Sequence, residues 1–149
     1  MVLENIKYLY HLVNNELVVS EIYPADSMNV ISKIKYEDEF SPIELYAEND
    51  MIIVIGQRYI PKARYYGENY TRIIIYDARD KENITVTKEV DVSGNYNSSR
   101  RIKDSLYLVA EKYIRAYDLE DDEYNALPCY KDSTISSEMK NVTCEDIRY

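Results

Sequence analysis

Asp50-Met51-Ile52-Ile53-Val54-Ile55 is answered downstream by Asp104-Ser105-Leu106-Tyr107-Leu108-Val109, at a constant offset of 54 (104 − 50, 106 − 52, 108 − 54, 109 − 55). The same offset relates Asp26, Asn29 and Val30 to Asp80, Asn83 and Ile84. Met51–Ile55 is apolar at every position. As a strand it carries apolar side chains on both faces, so both faces must be covered. A fixed period of this size in a chain of short strands points to repeated sheets stacked face to face.

The surrounding residues complete the unit. Ile43 to Tyr46 reads as a strand, Glu48-Asn49-Asp50 as a turn, and Arg72 to Tyr76 as a second largely apolar strand. Ile84 to Val92 alternates Ile84, Val86, Val90 and Val92 with Thr85, Thr87, Glu89 and Asp91, the pattern of an outer strand with one solvated face. Residues 43–92 are thus expected to form one complete four-stranded antiparallel blade. Upstream, residues 6–36 give only three strands: Ile6 to Val13, Leu17 to Tyr23 and Asn29 to Tyr36, with Asn14-Asn15 as a two-residue turn. The innermost strand of that partial blade should precede Ile6, where only Met1 to Asn5 remain. Downstream, residues 98–117 give a third, partial blade, and the pattern fades over 118–149, which reads as a loop or insertion with one short helical turn. The fold expected is all-β, built from propeller-type blades in an incomplete ring. Even four blades at this period need a length of 216 (4 × 54) against the 149 here.

Composition narrows the partners. Lys plus Arg number 18 against 27 Asp plus Glu, a net charge of −9, which opposes binding to nucleic acid or to an anionic membrane. No stretch approaches the ~20 apolar residues of a membrane span. The start, Met1-Val2-Leu3-Glu4-Asn5, lacks the basic and apolar regions of a secretory signal. Seventeen Tyr, one Phe and no Trp favour half-buried strands and wet loops in which Tyr keeps its hydroxyl hydrated.

One segment interrupts the acidic background. Residues 58–70, joining the two apolar strands of the complete blade, carry Arg58, Tyr59, Lys62, Arg64, Tyr65, Tyr66 and Tyr70, with Glu68 the only acid. The first unit spans the same junction with Asn14-Asn15. Loops at blade ends carry function in rigid scaffolds, and Tyr faces with Arg guanidinium groups suit stacking on sugars or holding an anionic group. The alternative is a long hairpin whose Tyr rings pack on its own strands. His11, the sole histidine, sits on the strand side of Leu9 and Val13, and no Gly-x-Ser-x-Gly elbow accompanies it. Asp118 to Glu123 lacks the Gly of a calcium loop, and no Cys-x-x-Cys is present. Neither catalytic residues nor a cofactor are expected.

The stretches Ala25-Asp26-Ser27-Met28-Asn29-Val30-Ile31-Ser32-Lys33-Ile34, Pro42-Ile43-Glu44-Leu45-Tyr46, Gly94-Asn95-Tyr96-Asn97-Ser98-Ser99-Arg100 and Leu127-Pro128-Cys129-Tyr130-Lys131-Asp132-Ser133 resemble the bacterial and archaeal secreted β-propeller family distantly related to WD40 repeats. The resemblance implies an extracytoplasmic propeller in a domain longer than this chain, and it nominates no catalytic residue. In a secreted domain Cys129 and Cys144, the only cysteines, could form a disulfide or stay free. The function expected is a non-catalytic binding or scaffold module for a carbohydrate or protein ligand. The alternatives are a polysaccharide hydrolase formed by a full-length propeller and a structural blade array. Self-association is expected, through open blade faces or unpaired strand edges.

Overall fold

A computed structural model describes residues 2–4, 7–63, 66–113 and 127–146, with backbone alone at 2–4, 62, 63, 66 and 144. Twelve strands are described: β1 (Val2–Glu4), β2 (Tyr8–Val13), β3 (Glu16–Glu21), β4 (Asn29–Lys35), β5 (Phe40–Glu48), β6 (Met51–Ala63), β7 (Tyr66–Asp77), β8 (Thr85–Ser93), β9 (Asn95–Ile102), β10 (Ser105–Glu111), β11 (Cys129–Asp132) and β12 (Lys140–Asn141). They form three antiparallel sheets, in the orders β1-β2-β3-β4, β12-β11-β8-β7-β6-β5 and β10-β9. The fold is all-β, and the sheets stay open.

The central sheet carries the core on both faces, as the apolar run of β6 requires. Ile52 and Val54, with Ile74 and Tyr76 of β7, pack against Tyr10, Leu17 and Val19 of the first sheet. Ile53 and Ile55, with Ile73, pack against Tyr96, Leu106 and Leu108 of the third. The period of two along β6 and β7 therefore sends alternate residues to opposite neighbours. Tyr10, Leu17, Val19, Ile52, Val54 and Ile55 have no exposed surface. Within the first cluster the Tyr76 hydroxyl donates to that of Tyr36 at 3.2 Å, and burial pushes the Tyr36 hydroxyl pKa well up. The Tyr36 ring meets Phe40 edge-on at 5.0 Å.

Turn chemistry sets the strand registers. Asn14 and Asn15 (φ 50° and 61°) join β2 to β3, and Asn49 and Asp50 (φ 50° and 62°) join β5 to β6. Two successive positive φ values match the right-handed twist of the flanking strands, and Asn and Asp tolerate them. Gly94 joins the second sheet to the third at φ 112°. A Cβ there would stand 2.7 Å from the Glu111 carbonyl oxygen, so the junction requires glycine. Gln57 pins the same junction: its Nε2 donates to the Tyr70 and Gly94 carbonyls, and its Oε1 accepts from the Tyr96 amide at 2.9 Å.

The structure departs from the sequence reading in three places. The first sheet has four strands, because residues 2–4 pair with Tyr8–Tyr10 as a short innermost strand. The expected third blade, 98–117, begins earlier, at Asn95. The segment 118–149 is not only loop: β11 and β12 within it extend the outer edge of the central sheet, with Tyr130 opposite Val92 and Asp132 opposite Val90. Cys129–Asp132 is too short and too polar to show a period in sequence. Its order comes from backbone pairing with β8, aided by the Lys88–Asp132 ion pair at 2.5 Å and by Ser133 Oγ accepting from the Glu89 amide.

Candidate functional site

Of the two readings of residues 58–70, a binding loop and a long hairpin, the structure shows the hairpin: the described part of the segment continues both strands. β5 and β8 end on either side of it, with Phe40 opposite Arg58 and Tyr70 opposite Ser93. Beyond those rungs, among the described residues, β6 and β7 pair only with each other, through Tyr59 with Asn69, Ile60 with Glu68, Pro61 with Gly67 and Ala63 with Tyr66. The result is a two-stranded arm. Its base is tied by the Tyr59 amide donating to the Glu39 carbonyl at 2.9 Å. Tyr59 is exposed at its edge but lies over Gly67, where a Cβ would stand 2.5 Å from the phenol ring. A glycine left bare in a ribbon is thereby covered by a cross-strand aromatic ring.

The candidate binding residues divide on the structure. Arg58 is engaged at the arm's base, its Nη1 donating to Asp91 Oδ2 at 3.1 Å. Arg72 grips the same carboxylate through Nε (2.7 Å) and Nη2 (2.8 Å), and Asp91 is 2% exposed. The bond to Asp91 raises the Arg72 guanidinium pKa against the lowering effect of burial. Tyr70 is buried, and its hydroxyl donates to Glu68; burial, then that bond, pushes its pKa above the usual phenol value. Tyr70 therefore belongs to the core and offers no ring face to a ligand, a correction to the sequence reading: the stretch alternates as a strand, so one of its faces turns inward. Tyr59 remains exposed. The side chains of Lys62 and Tyr66, and both Arg64 and Tyr65, lie outside the described residues. Cys129 carries a free, half-buried thiol beside Ser93, whose Oγ accepts from the Cys129 amide at 2.9 Å. The Cys144 side chain lies outside the described residues.

A second feature escapes the sequence reading. An open, polar cleft of about 630 Å³ lies at the opposite end of the strands, between the first sheet and the β7–β8 connection. Lys7, paired with Glu21 at 3.0 Å, forms one wall. Lys81 forms the other: its Nζ meets Asp50 and the Ala78 carbonyl and lies 5.2 Å from the centre of the Tyr8 ring. Two sequence signals fall at this end of the blades: the recurrence of Asp26 and Asn29 as Asp80 and Asn83, and the Asn49-Asp50 turn, whose Asp50 recurs as Asp104. Asp80 caps its own turn by accepting from the Glu82 amide and from Asn83 Nδ2. His11 Nδ1 is buried without a hydrogen-bond partner among the described residues. Among the described residues no three His, Cys, Asp or Glu side chains are grouped to hold a metal ion.

Antiparallel sheets of four, six and two described strands, stacked face to face and joined outer strand to inner strand, define a propeller-type blade array. The chain belongs to the beta propeller domain family, whose model matches residues 1–149. No curated protein and no solved structure is significantly similar to it. No helix among the described residues is long and apolar enough to cross a membrane.

Proposed function

We propose that the chain is a non-catalytic, extracytoplasmic propeller module that binds a carbohydrate or protein ligand through the β6–β7 arm. The observation that carries this reading is the arm itself: a ribbon running past the ends of β5 and β8, with exposed Tyr59 at its edge, in the stretch richest in Arg, Lys and Tyr. Rigid strands present such side chains with little loss of conformational entropy on binding. The extracytoplasmic location rests on the family resemblance. A glycan and peptide array probed with the intact protein, and with a variant in which residues 60–68 are replaced by Asn-Gly, tests the reading. Binding lost in the variant at unchanged melting temperature supports it, whereas equal binding by both proteins removes the arm as the site. Turnover of a dye-labelled polysaccharide would overturn the non-catalytic assignment.

The outward face of the third sheet favours self-association as a second property. Tyr107 and Val109 are 58% and 52% exposed there, beside exposed Ile102. Tyr107→Lys should shift a dimer or larger species toward the 17.6 kDa monomer in light scattering. A wild-type protein that is monomeric at micromolar concentration overturns this.

A further inference from the structure

Four Asn-x-Ser/Thr triplets occur: Asn69-Tyr70-Thr71, Asn83-Ile84-Thr85, Asn97-Ser98-Ser99 and Asn141-Val142-Thr143. With eleven Asn and sixteen Ser or Thr in a chain of 149, about one would arise by chance. All four Asn are exposed, but the residues two positions on are not equivalent. A glycosyl-transferring enzyme must reach both the acceptor amide and that hydroxyl. Thr71 is fully buried and its Oγ1 donates to the Gly94 carbonyl. The Ser99 hydroxyl lies half-buried between the hydroxyls of Tyr46 and Tyr96, at 2.9 Å from each. Thr85 and Thr143, by contrast, are exposed, and the bond from the Thr143 hydroxyl to Asp146 is itself at the surface.

We propose that Asn83 and Asn141 are N-glycosylation sites of the folded chain, and that Asn69 and Asn97 are not. The proposal rests on the extracytoplasmic reading above. The donor is an oligosaccharide carried on a lipid phosphate or pyrophosphate. The Asn Nδ2–C1 bond forms, the bond from C1 to the phosphate oxygen breaks, the lipid phosphate leaves with the electron pair, and the amide gives up one proton. Nothing is oxidised or reduced. Asn83 closes the turn that borders the cleft, where its Nδ2 shares an exposed bond of 2.9 Å with Asp80 Oδ2. Asn141 lies on β12, the outermost strand of the central sheet, opposite Cys129. A glycan there would block strand addition along that edge, in the way charges and proline protect other edges.

The test uses the full chain from its native producer, with cell fractionation followed by peptide mass spectrometry. Glycopeptides covering Asn83 and Asn141, unmodified peptides covering Asn69 and Asn97, and loss of one glycan mass in each of Thr85→Ala and Thr143→Ala are expected. Unmodified Asn83 and Asn141 in protein recovered outside the cytoplasm overturn the proposal and leave the location intact. Protein confined to the cytoplasm overturns both. Glycans on all four Asn mean transfer before folding and overturn the selection by exposure.

Discussion

β6 and β10 occupy equivalent places in neighbouring sheets, one sequence period apart, yet they live in different surroundings. Ile53 and Ile55 map onto Tyr107 and Val109 (53 + 54, 55 + 54). The first pair is buried between two sheets, and the second is more than half exposed. The inner halves agree: Leu106 and Leu108 pack on the central sheet, as Ile52 and Val54 pack on the first. An apolar run on both faces thus specifies two covering surfaces. The energy of each face is realised only where its neighbour stands.

The sharpest way to break this comparison is to truncate both members. Ile55→Ala should cost about 2–5 kcal/mol, the range for a fully buried side chain that leaves a cavity. Val109→Ala should stay within about 0.5 kcal/mol in the monomer, as exposed changes do. Urea unfolding of the two variants measures both, and equal losses would mean that the outward face of β10 is already covered in solution.

Polar contacts should divide in the same way. Asp91→Ala strands Arg58 at the base of the arm and leaves Arg72 with its 3.6 Å pair to Glu89, and should cost about 3 kcal/mol, the low end for breaking a buried pair, because Arg58 keeps 25% of its side chain exposed. Arg101→Ala breaks the bridge to Glu48 between the second and third sheets, where the carboxylate is 54% exposed, and should cost under about 1 kcal/mol. A reversed order in thermal melts would move the weight of stability from the central sheet to its junction.

The smallest effect concerns acid. A hydrogen bond from Lys88, then one from Thr134, hold the Asp132 carboxyl below its ordinary 3.8. A lowered native pKa stabilises above the unfolded value, and that contribution is lost as pH falls below 3.8 through the native value. Amides of β11 should therefore lose hydrogen-exchange protection in that window before those of β6 and β7. Simultaneous loss would show that β11 is as firmly held as the central strands.

The central blade was legible because its signal is redundant: Met51–Ile55 demands two covers, Ile84–Val92 demands one, and the Asn-Asn and Asn-Asp pairs place the turns. β1 and β11 were not, since such short strands show no period and take their order from partners distant in sequence. The arm was visible as an insertion, with a long hairpin as one of its two readings, but its register was not legible. Its alternation of Tyr59, Pro61 and Gly67 against Arg58, Ile60, Glu68 and Tyr70 was hidden by its charge and by Pro and Gly, the usual marks of a loop. The Asp91 cluster was out of reach for another reason: Arg58, Arg72 and Asp91 come from three strands, and only the register brings them together.

The pairing of β11 on β8 also sets a timetable for synthesis. The edge strand ends at Ser93, and its cover is complete only at Asp132. At about 5–20 residues per second a ribosome needs roughly 2–8 s to make that interval. β8 leaves the ribosome that long before β11 does, and through the delay its outer edge lacks β11 and is open to the same edge on the next chain of a crowded polysome. A pause in translation between Ser93 and Asp132 would lengthen that exposure, and would make intermolecular pairing a matter of codon tempo as much as of amino-acid sequence.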